Sequence, residues 1–472
     1  MSFIVYDLTF LAVFVIFLSV FLYIRRKNLK REGLLLLYRT QWGIKLIEYV
    51  GNKYKKSLNI LSYISIGVGY ILMASILYFF YVLSKIYFFR PDIVSMIKIP
   101  PIMPLIPYID KLVPYLPPFY FTYWIVILAV VAITHEFAHG IFAAYKKIKI
   151  KSTGFGFFPF FLPVFLAAFV EPDEKNLVKK DKFSQMAMLS AGTFANVITA
   201  VLFFGILWVF FSLSFTPAGV IFGDYSYSII DVASITMINN ISLSNPSYEK
   251  VLEVIGNQTS LEIKADEGKY LGVKGISNDL TRIALYNDAP AINEKLELNS
   301  AITEINGIKI DGIEKLQQEL LKYSPGEKIV LGIFDGEDIH NQDITLGENP
   351  ENKSIGLIGI GFENDKRSGV LGKIYNTLSS FKKQYIYYES RMGDFGWFIY
   401  YLLWWLVLIC VGVALMNMLP VGIFDGGRFF YLTVLAITKS EKKAKRYFSI
   451  VTYFFLFLLL LLMIFWATSF IR

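Results

Sequence analysis

The sequence is poor in cysteine, histidine and charged residues. Its 472 residues include one cysteine and three histidines, and only 18% are Asp, Glu, Lys or Arg. The single cysteine, Cys410, excludes an intramolecular disulfide. The low charged fraction comes with 55% hydrophobic residues and a mean hydropathy of +0.50, so an ordinary soluble globular protein is excluded. This composition indicates a polytopic membrane protein.

The sequence also lacks targeting features and internal symmetry. The first apolar run, residues 3–24, carries an acid (Asp7) instead of a basic head, and no small-residue cleavage pattern follows it. We therefore expect no cleaved signal peptide. No repeat relates the two halves of the sequence, which counts against a transporter. Organelle-targeting signals are absent and the loops are compact, so we expect a prokaryotic plasma membrane.

Six apolar runs are long enough to cross a bilayer as helices, which takes roughly 20 residues each. They lie at approximately 3–24, 60–84, 121–144, 184–211, 396–418 and 447–470. Basic segments flank these runs at 25–31, 53–56, 146–151, 179–182 and 439–446. If all the basic segments are cytoplasmic, the six spans alternate without conflict and both termini are extracytoplasmic. The net charge of +8 is thereby explained by topology, so we expect contact with the lipid bilayer and no nucleic-acid partner.

Two apolar segments do not fit a simple span. Residues 91–118 are rich in proline, which breaks helices, and we predict an outside loop or interfacial segment. Residues 154–172, "GFGFFPFFLPVFLAAFVEP", are interrupted by glycine and proline and begin and end at basic loops assigned to the cytoplasm. A membrane-re-entrant β-like segment satisfies both facts. A short seventh span is the alternative, but it breaks the alternation of charge.

A soluble domain interrupts the membrane regions. Residues 220–365 carry turn signals and alternating patterns such as "AITEINGIKI", which predict a mainly β domain outside the membrane. The predicted organisation is an N-terminal membrane region (1–119), a first part of the membrane core (120–212), the extracytoplasmic domain (220–365), a connector (366–395) and a second part of the core (396–472).

The third apolar run contains metal-binding residue types in "AITHEFAHG", residues 132–140. On a helix, His135 and His139 are one turn apart, so both can bind one Zn²⁺ while Glu136 faces a metal-activated water. Ionisable groups inside a membrane span are costly and usually functional. The alternative places them at a helix end, where they reach the membrane interface.

A catalytic zinc needs a third protein ligand. His340 lies in the predicted outside domain and is a poor candidate. "ALMNMLPVGIFDGGRFF", residues 414–430, follows the fifth span at the matching depth, and Asp425 is its only acid. Pro420 ends the helix and the two glycines after Asp425 allow close backbone approach. The alternative, a helix cap in an ordinary turn, does not explain the matching depth.

The combination of these motifs resembles the site-2 protease family of intramembrane zinc metalloproteases, in its prokaryotic, PDZ-containing form. An H-E-x-x-H span is followed far downstream by N-x-x-P-x-x-x-x-D-G-G, and the resemblance covers roughly 121–211 and 396–430. "AFVEPDE", residues 168–174, is also similar to prokaryotic members. Two positions depart from the family pattern, namely Thr193 in place of proline and Phe424 in place of leucine, and they affect local shape.

The resemblance implies a set of site residues and one catalytic Zn²⁺. The implied metal ligands are His135, His139 and Asp425, the implied catalytic base is Glu136, and the implied substrate-binding residues are Asn417 and, in "AGTFAN" (191–196), Asn196. It also implies that the glycine-rich segment forms a re-entrant β element beside the active site.

The outside domain contains a stretch that resembles a PDZ domain, residues 287–334, within a module of about 280–365. A strand ends at Asn306-Gly307, and a helix with apolar Ile313, Leu316 and Leu320 precedes another strand. Such a domain binds peptides at a sheet edge, or it acts as a steric filter. Residues 220–280 either complete this domain or form a second lobe.

We therefore expect a six-span α-helical membrane protein with an inserted PDZ-like α+β domain. Its expected function is that of an intramembrane zinc metalloendopeptidase that cleaves membrane-anchored substrates within their transmembrane segments, near the cytoplasmic side. One alternative is a membrane zinc protease for soluble or lipidated substrates, but no cytoplasmic loop is long enough for its catalytic head. Another is a PDZ-type scaffold or receptor with a vestigial metal site, against which the intact Glu136 argues.

Overall fold

The computed structural model describes residues 3–32, 35–97, 99–113, 116–157, 166–256, 261–266, 268–276, 281–349, 352–362, 372, 376 and 379–469. The chain divides into two compact units. Unit 1 comprises Met1–Phe210 and Phe398–Arg472, and unit 2 comprises Phe211–Trp397. Residues 158–165, the middle of the predicted re-entrant segment, and most of 363–378, in the predicted connector, lie outside the described residues.

Within the described residues, the α-helices in chain order are α1 (Phe3–Ile24), α2 (Ile44–Lys53), α3 (Lys55–Phe89), α4 (Pro91–Ile97), α5 (Phe121–Tyr145), α6 (Glu174–Val178), α7 (Lys182–Ser214), α8 (Tyr248–Ile255), α9 (Pro290–Asn293), α10 (Ile313–Leu320), α11 (Asp394–Asn417), α12 (Asp425–Thr438) and α13 (Glu441–Thr468). Short 3₁₀ turns occur at Arg26–Asn28, Ile109–Lys111 and Val232–Ser234.

Six of these helices are long and apolar enough to cross a membrane, namely α1, α3, α5, α7, α11 and α13. The shortest, α1, has 22 residues and is therefore about 33 Å long, which matches a hydrocarbon core of about 30 Å. The six predicted runs coincide with these helices, and several helices extend beyond the predicted ends. The chain therefore has the architecture of a polytopic helical membrane protein.

Unit 1 also contains a four-stranded antiparallel sheet. Its strands are β1 (Leu29–Glu32), β2 (Leu35–Thr40), β3 (Ile150–Phe157) and β4 (Leu166–Pro172), in that order across the sheet. β3 and β4 occupy the two ends of the predicted β-like segment. β1 and β2 were not predicted, because their residues had been assigned to a basic loop and its surroundings. β4 is an edge strand of this sheet.

Helix α2 packs on the half of α5 that carries the two histidines. Ile44, Ile47 and Gly51 form its buried face. A Cβ atom on Gly51 would lie 2.8 Å from Ala144 Cβ and 2.9 Å from the Ile141 carbonyl oxygen, so only glycine allows this approach. On the same helix pair, the ring of Trp42 lies edge-on against Phe137 at 6.1 Å between centroids.

The N-terminus of α5 is capped by a carboxylate from another helix. Asp7 on α1 is buried, and its Oδ2 accepts hydrogen bonds from the Phe121 backbone N–H and the Tyr108 hydroxyl, both at 2.7 Å. Its Oδ1 accepts from the N–H and the hydroxyl of Thr122 at 2.8 and 2.6 Å. Because the first N–H groups of a helix have no partner within it, this carboxylate satisfies donors that burial would otherwise leave unpaired. Asp7 therefore fixes α1 to α5.

Unit 2 is built mainly from strands. They are β5 (Phe215–Ile221), β6 (Asp224–Tyr225), β7 (Tyr227–Asp231), β8 (Ile235–Ile238), β9 (Ile241–Ser242), β10 (Glu262–Ala265), β11 (Gly268–Ile276), β12 (Arg282–Asn287), β13 (Ala301–Ile305), β14 (Ile308–Lys309), β15 (Lys328–Phe334), β16 (Ile339–Thr345), β17 (Gly347–Glu348), β18 (Gly356–Leu357), β19 (Ile360–Gly361) and β20 (Ile386–Ser390).

These strands form two six-stranded sheets and two short pairs. One large sheet has the order β7-β12-β11-β10-β8-β9 and its own apolar core, which includes Ile235, Val251 of α8 and Ile263. The sequence allows residues 220–280 to complete the PDZ-like domain or to form a second lobe. In the structure, these residues contribute most of this sheet. The other has the order β16-β15-β13-β5-β20, with β14 paired to β13. The short pairs are β17-β18 and β19-β6.

The first and last described strands of unit 2 are neighbours in the second sheet. β5 follows α7 directly, β20 precedes α11, and the two strands pair antiparallel from Phe215↔Ser390 to Val220↔Ile386. The Arg391 N–H donates to the Ser214 carbonyl at 2.8 Å, which extends this pairing by one bond. β20 was predicted as part of a connector to the membrane, but it is a strand of the domain itself.

Candidate metal centre

Two imidazole nitrogens and a carboxylate oxygen converge in unit 1. His135 Nε2 and His139 Nε2 are 3.0 Å apart, and Asp425 Oδ2 is 3.3 Å from the first and 3.2 Å from the second. A tetrahedral zinc site with ligand bonds of roughly 2.0–2.1 Å has ligand atoms about 3.3 Å apart. The three donor atoms therefore have the spacing of one face of such a site. Two histidines and a carboxylate are also a donor set that catalytic zinc uses.

The second nitrogen of His139 is fixed by helix α7. His139 Nδ1 lies 2.7 Å from the Met188 carbonyl oxygen. Because a carbonyl only accepts, Nδ1 carries the proton and Nε2 keeps its lone pair towards the cluster. A hydrogen bond of this kind is the usual way to set the tautomer and ring orientation of a metal-binding histidine.

Asn196, also on α7, contacts the other histidine. Its side chain is fully buried, and one end of its amide lies 3.1 Å from His135 Nδ1. That end is the amide nitrogen, and Oδ1 has no hydrogen-bond partner among the described residues. In the opposite orientation of the amide, Oδ1 accepts a hydrogen bond from His135 Nδ1–H. Both histidines then have the same tautomer. Asn196 lies behind His135, and it is not among the residues that line the cavity described below.

Gly192, one turn before Asn196 on α7, leaves the room that the histidines occupy. A Cβ atom at this position would lie 2.7 Å from His135 Nε2 and closer still to His139 Nε2. The close approach of α7 to α5 at the cluster therefore requires glycine.

We expect Gly192→Ala to weaken metal binding by at least about 10–100-fold, because the methyl group displaces both imidazoles. Gly205→Ala is the matched control, since it lies on the same helix and a Cβ there meets nothing within 4 Å. The measurement is the metal content of the purified variants after dialysis against a graded chelator. Equal metal retention by the two variants would contradict the requirement for glycine.

The third donor is presented by the turn between α11 and α12. Helix α11 ends at Asn417, the chain turns through Pro420, and Asp425 is the first residue of α12. Gly426 and Gly427 are buried against this turn. Asp425 lies 286 positions after His139 in the chain. The turn brings it to the face of α5 on which both histidines lie.

Glu136 faces the same region from α5 and is held by the edge strand. Its Oε2 accepts a hydrogen bond from the Val170 backbone N–H of β4 at 2.8 Å. This contact was not predicted from the sequence. It ties the carboxylate beside the cluster to the unpaired edge of the four-stranded sheet.

A cavity of about 570 Å³ adjoins the cluster. His135, Glu136, His139 and Asp425 line it, and alternate residues of β4 (Ala168, Val170 and Pro172) form one wall together with Asn417, Glu174 and Arg428. Among the described residues, no hydrogen bond of the Asn417 side-chain amide is found. Arg428 Nη1 and Glu174 Oε1 face each other at 3.9 Å.

A polar row crosses the sheet next to Val170. Arg39 of β2 donates to Glu32 at 2.6 Å and to Glu171 of β4 at 3.1 Å, and Ser152 of β3 donates to Glu171 at 2.7 Å. The hydrogen bond from Ser152, followed by that from Arg39, lowers the pKa of the Glu171 carboxyl. Because Val170 precedes Glu171, this row fixes the register that points the Val170 N–H at Glu136.

The structure brings most of the predicted site residues together. His135, Glu136, His139, Asn417 and Asp425 line one cavity, whereas Asn196 stands behind it. His340 lies in unit 2, beside Asp335. Gly192, the Met188 carbonyl and the Val170 N–H were missed. Gly192 had a signal in the sequence, since it lies within the "AGTFAN" motif, but backbone groups leave no signal of their own.

The chain was compared with protein families, with curated proteins and with solved structures. Residues 123–462 match the family model described as Peptidase family M50. Among solved structures, the PDZ domain of an SdrC-like protein from Listeria monocytogenes is similar, with 22% identity, a TM-score of 0.15, and coverage of 20% of this chain and 87% of that chain. The PDZ domain of an SdrC-like protein from Listeria innocua gives 19% identity, a TM-score of 0.15, and coverage of 21% and 99%. No curated protein matches the chain.

Proposed function

Since the chain belongs to peptidase family M50, a family of zinc metalloproteases, we propose that it is an intramembrane zinc metalloendopeptidase that cleaves membrane-anchored proteins within their transmembrane segments. The observation that carries this proposal is the convergence of three donor atoms within 3.3 Å, two of them on α5, a helix of membrane-spanning length. His135, His139 and Asp425 would hold the ion. The chemistry that Zn²⁺ supplies in such sites is polarisation of the substrate carbonyl and activation of water.

Glu136 is the proposed general base. It takes a proton from the attacking water and returns it to the leaving amine. Asn417 lines the same cavity, and its amide, which has no partner among the described residues, can donate to the substrate backbone or to the developing oxyanion. Asn196 and Met188 are proposed as positioning residues, because they contact the outer nitrogens of the two histidines.

The edge of β4 is the proposed binding site for the unwound substrate. A transmembrane helix hydrogen-bonds its own backbone, so it must be extended before its peptide bonds can be attacked. An extended segment can add to β4 as a further strand, with main-chain hydrogen bonds providing affinity. Ala168, Val170 and Pro172 line the cavity, so such a strand would pass the proposed base. Substrate pairing at this edge must displace the Glu136 hydrogen bond to Val170.

The topology follows from the distribution of charge. We propose that the chain resides in the plasma membrane with its active site near the cytoplasmic side, and with unit 2 and both termini outside. Unit 2 carries the PDZ-like module, for which a peptide ligand is proposed. A hairpin turn at Asn306-Gly307, where both residues have positive φ, and the amphipathic helix α10 with Leu316 buried are consistent with that module.

The test is metal content and cleavage measured together on purified protein in detergent, with a model single-span substrate. We expect the wild-type protein to hold zinc and cut within the span, and Asp425→Ala to lose both, because two histidines alone do not retain the ion. Asp343→Ala, at an exposed acid in β16, is the control and should change neither. If Asp425→Ala keeps its metal and its activity, Asp425 is only a turn residue and the proposed site is wrong.

A further inference from the structure

Helix α2 has two apolar faces, although it is too short to cross a membrane. Its ten residues span about 15 Å. The face with Ile44, Ile47 and Gly51 packs on α5. On the opposite face, Leu46 is 55% exposed and Tyr49 is 56% exposed, and Trp42 just before the helix is 65% exposed. A helix on the surface of a soluble protein buries one apolar face and leaves the other polar, so α2 needs a second apolar cover.

The position of α2 indicates what that cover is. Its C-terminus is separated by one residue from Lys55, where membrane helix α3 begins. Gly51 lies against Ala144 and Tyr145, the last residues of membrane helix α5. The helix therefore lies at the level where two membrane helices end. Tryptophan and tyrosine are enriched at this level because their rings are apolar and their polar atoms reach water.

The charge on α2 and its flanks is complementary to an anionic surface. Residues 42–56 contain four lysines, at positions 45, 53, 55 and 56, and one acid, Glu48. All four lysines are exposed. The Lys53 ammonium lies 4.9 Å from the centroid of the Tyr49 ring, so the positive charge and the exposed aromatic face belong to one patch. Lysine clusters beside membrane helices bind anionic lipids.

We propose that α2 lies in the membrane interface and binds anionic lipid headgroups, with Trp42, Leu46 and Tyr49 inserted and the four lysines contacting phosphate. We call this surface the α2 lipid patch. It differs from the proposed active site, and its occupant is a phospholipid and not a protein. Ile47 and Gly51 of α2 pack on α5, the helix that carries His135 and His139. Lipid bound to α2 therefore stabilises the position of α5.

The test is energy transfer from Trp42 to labelled lipid, with the full-length protein in lipid nanodiscs. The acceptor is dansyl-labelled phosphatidylglycerol in one sample and dansyl-labelled phosphatidylcholine in the other. The chain has seven tryptophans, so the contribution of Trp42 is the difference between wild type and Trp42→Phe. We expect transfer to both lipids, with at least about a threefold excess for phosphatidylglycerol. Raising the salt from 0.1 to 1 M should remove the excess without removing the transfer.

Two sets of charge substitutions distinguish lipid binding at the α2 lipid patch from a general attraction of the positively charged protein to anionic lipid. The first set replaces four lysines with glutamine and should make the energy transfer to the two lipids equal. These lysines are Lys45, Lys53, Lys55 and Lys56. The control replaces Lys439, Lys442, Lys443 and Lys445, which are exposed at and before the start of α13, and should keep most of the excess. Absence of any transfer from Trp42 would show that α2 is not in the interface and overturn the proposal. Equal transfer to both lipids in wild type, or equal loss in both substituted sets, would overturn the anionic recognition.

Discussion

Replacing Glu136 with glutamine is expected to abolish cleavage while the metal content of the protein stays unchanged. Glutamine has the same shape and can still accept the Val170 N–H bond through its amide oxygen, so the geometry is preserved. It cannot take a proton from water at neutral pH. General-base catalysis contributes about 10²–10⁴-fold to the rate of a reaction. Its loss should therefore lower the rate at which a single-span substrate is cleaved by the same factor.

The control is Glu174→Gln, because Glu174 is a second carboxylate that lines the cavity and is 75% exposed. It should keep cleavage within a few-fold of wild type. The measurements are kcat in detergent and metal by atomic emission on the same preparations. Cleavage at the wild-type rate by purified Glu136→Gln would rule out this residue as the base, and loss of metal would show that the substitution disturbs the ligands instead.

Replacing Asp7 with alanine is expected to destabilise unit 1 strongly. Four hydrogen bonds end on this carboxylate, and its removal leaves two backbone N–H groups and two hydroxyls without their acceptor. Each buried donor left unpaired costs about 1–3 kcal/mol, so we expect a loss on the order of 3 kcal/mol or more in the free energy of unfolding. Asp7→Asn keeps one carbonyl acceptor and should fall between alanine and wild type.

Thermal unfolding in detergent, followed by the loss of monodisperse protein, measures this effect. Thr9→Ala is the control, since Thr9 is an exposed residue on the same helix and its hydroxyl donates to the carbonyl of Val5 within that helix. An alanine variant at position 7 that unfolds at the wild-type temperature would mean that water replaces the carboxylate. The cap would then have no role in holding α1 to α5.

The parts of the fold that follow from local pattern were predictable from the sequence. An apolar run of more than 20 residues specifies its own helix, so all six long helices were found. The spacing of His135 and His139 likewise fixes their shared face. Asp425 could be proposed from the sequence because it is the only acid in the turn after the fifth apolar run. The basic segments place that turn at the same predicted depth as the two histidines.

The parts that depend on distant pairing were not predictable. β1 and β2 have only four and six residues, and they become strands because β2 pairs with β3, more than 100 residues away. Asp7 was noted only as an acid in an apolar run, since its role depends on α5. Asn196 was assigned to substrate binding through a motif, but its side chain points to His135. In each case the deciding contact joins segments whose proximity no local pattern encodes.

The pairing of β5 with β20 determines how unit 2 is inserted between the two parts of unit 1 in the chain. Ser214 and Arg391, which directly precede β5 and follow β20, are joined by a backbone hydrogen bond. An insertion with adjacent ends needs no long linkers, and it can be gained or lost without moving the helices on either side. A chain in which a tight turn joins residue 214 to residue 391 should therefore retain the whole membrane unit. Unit 2 is in this respect built as an interchangeable module between the fourth and fifth helices of membrane-spanning length.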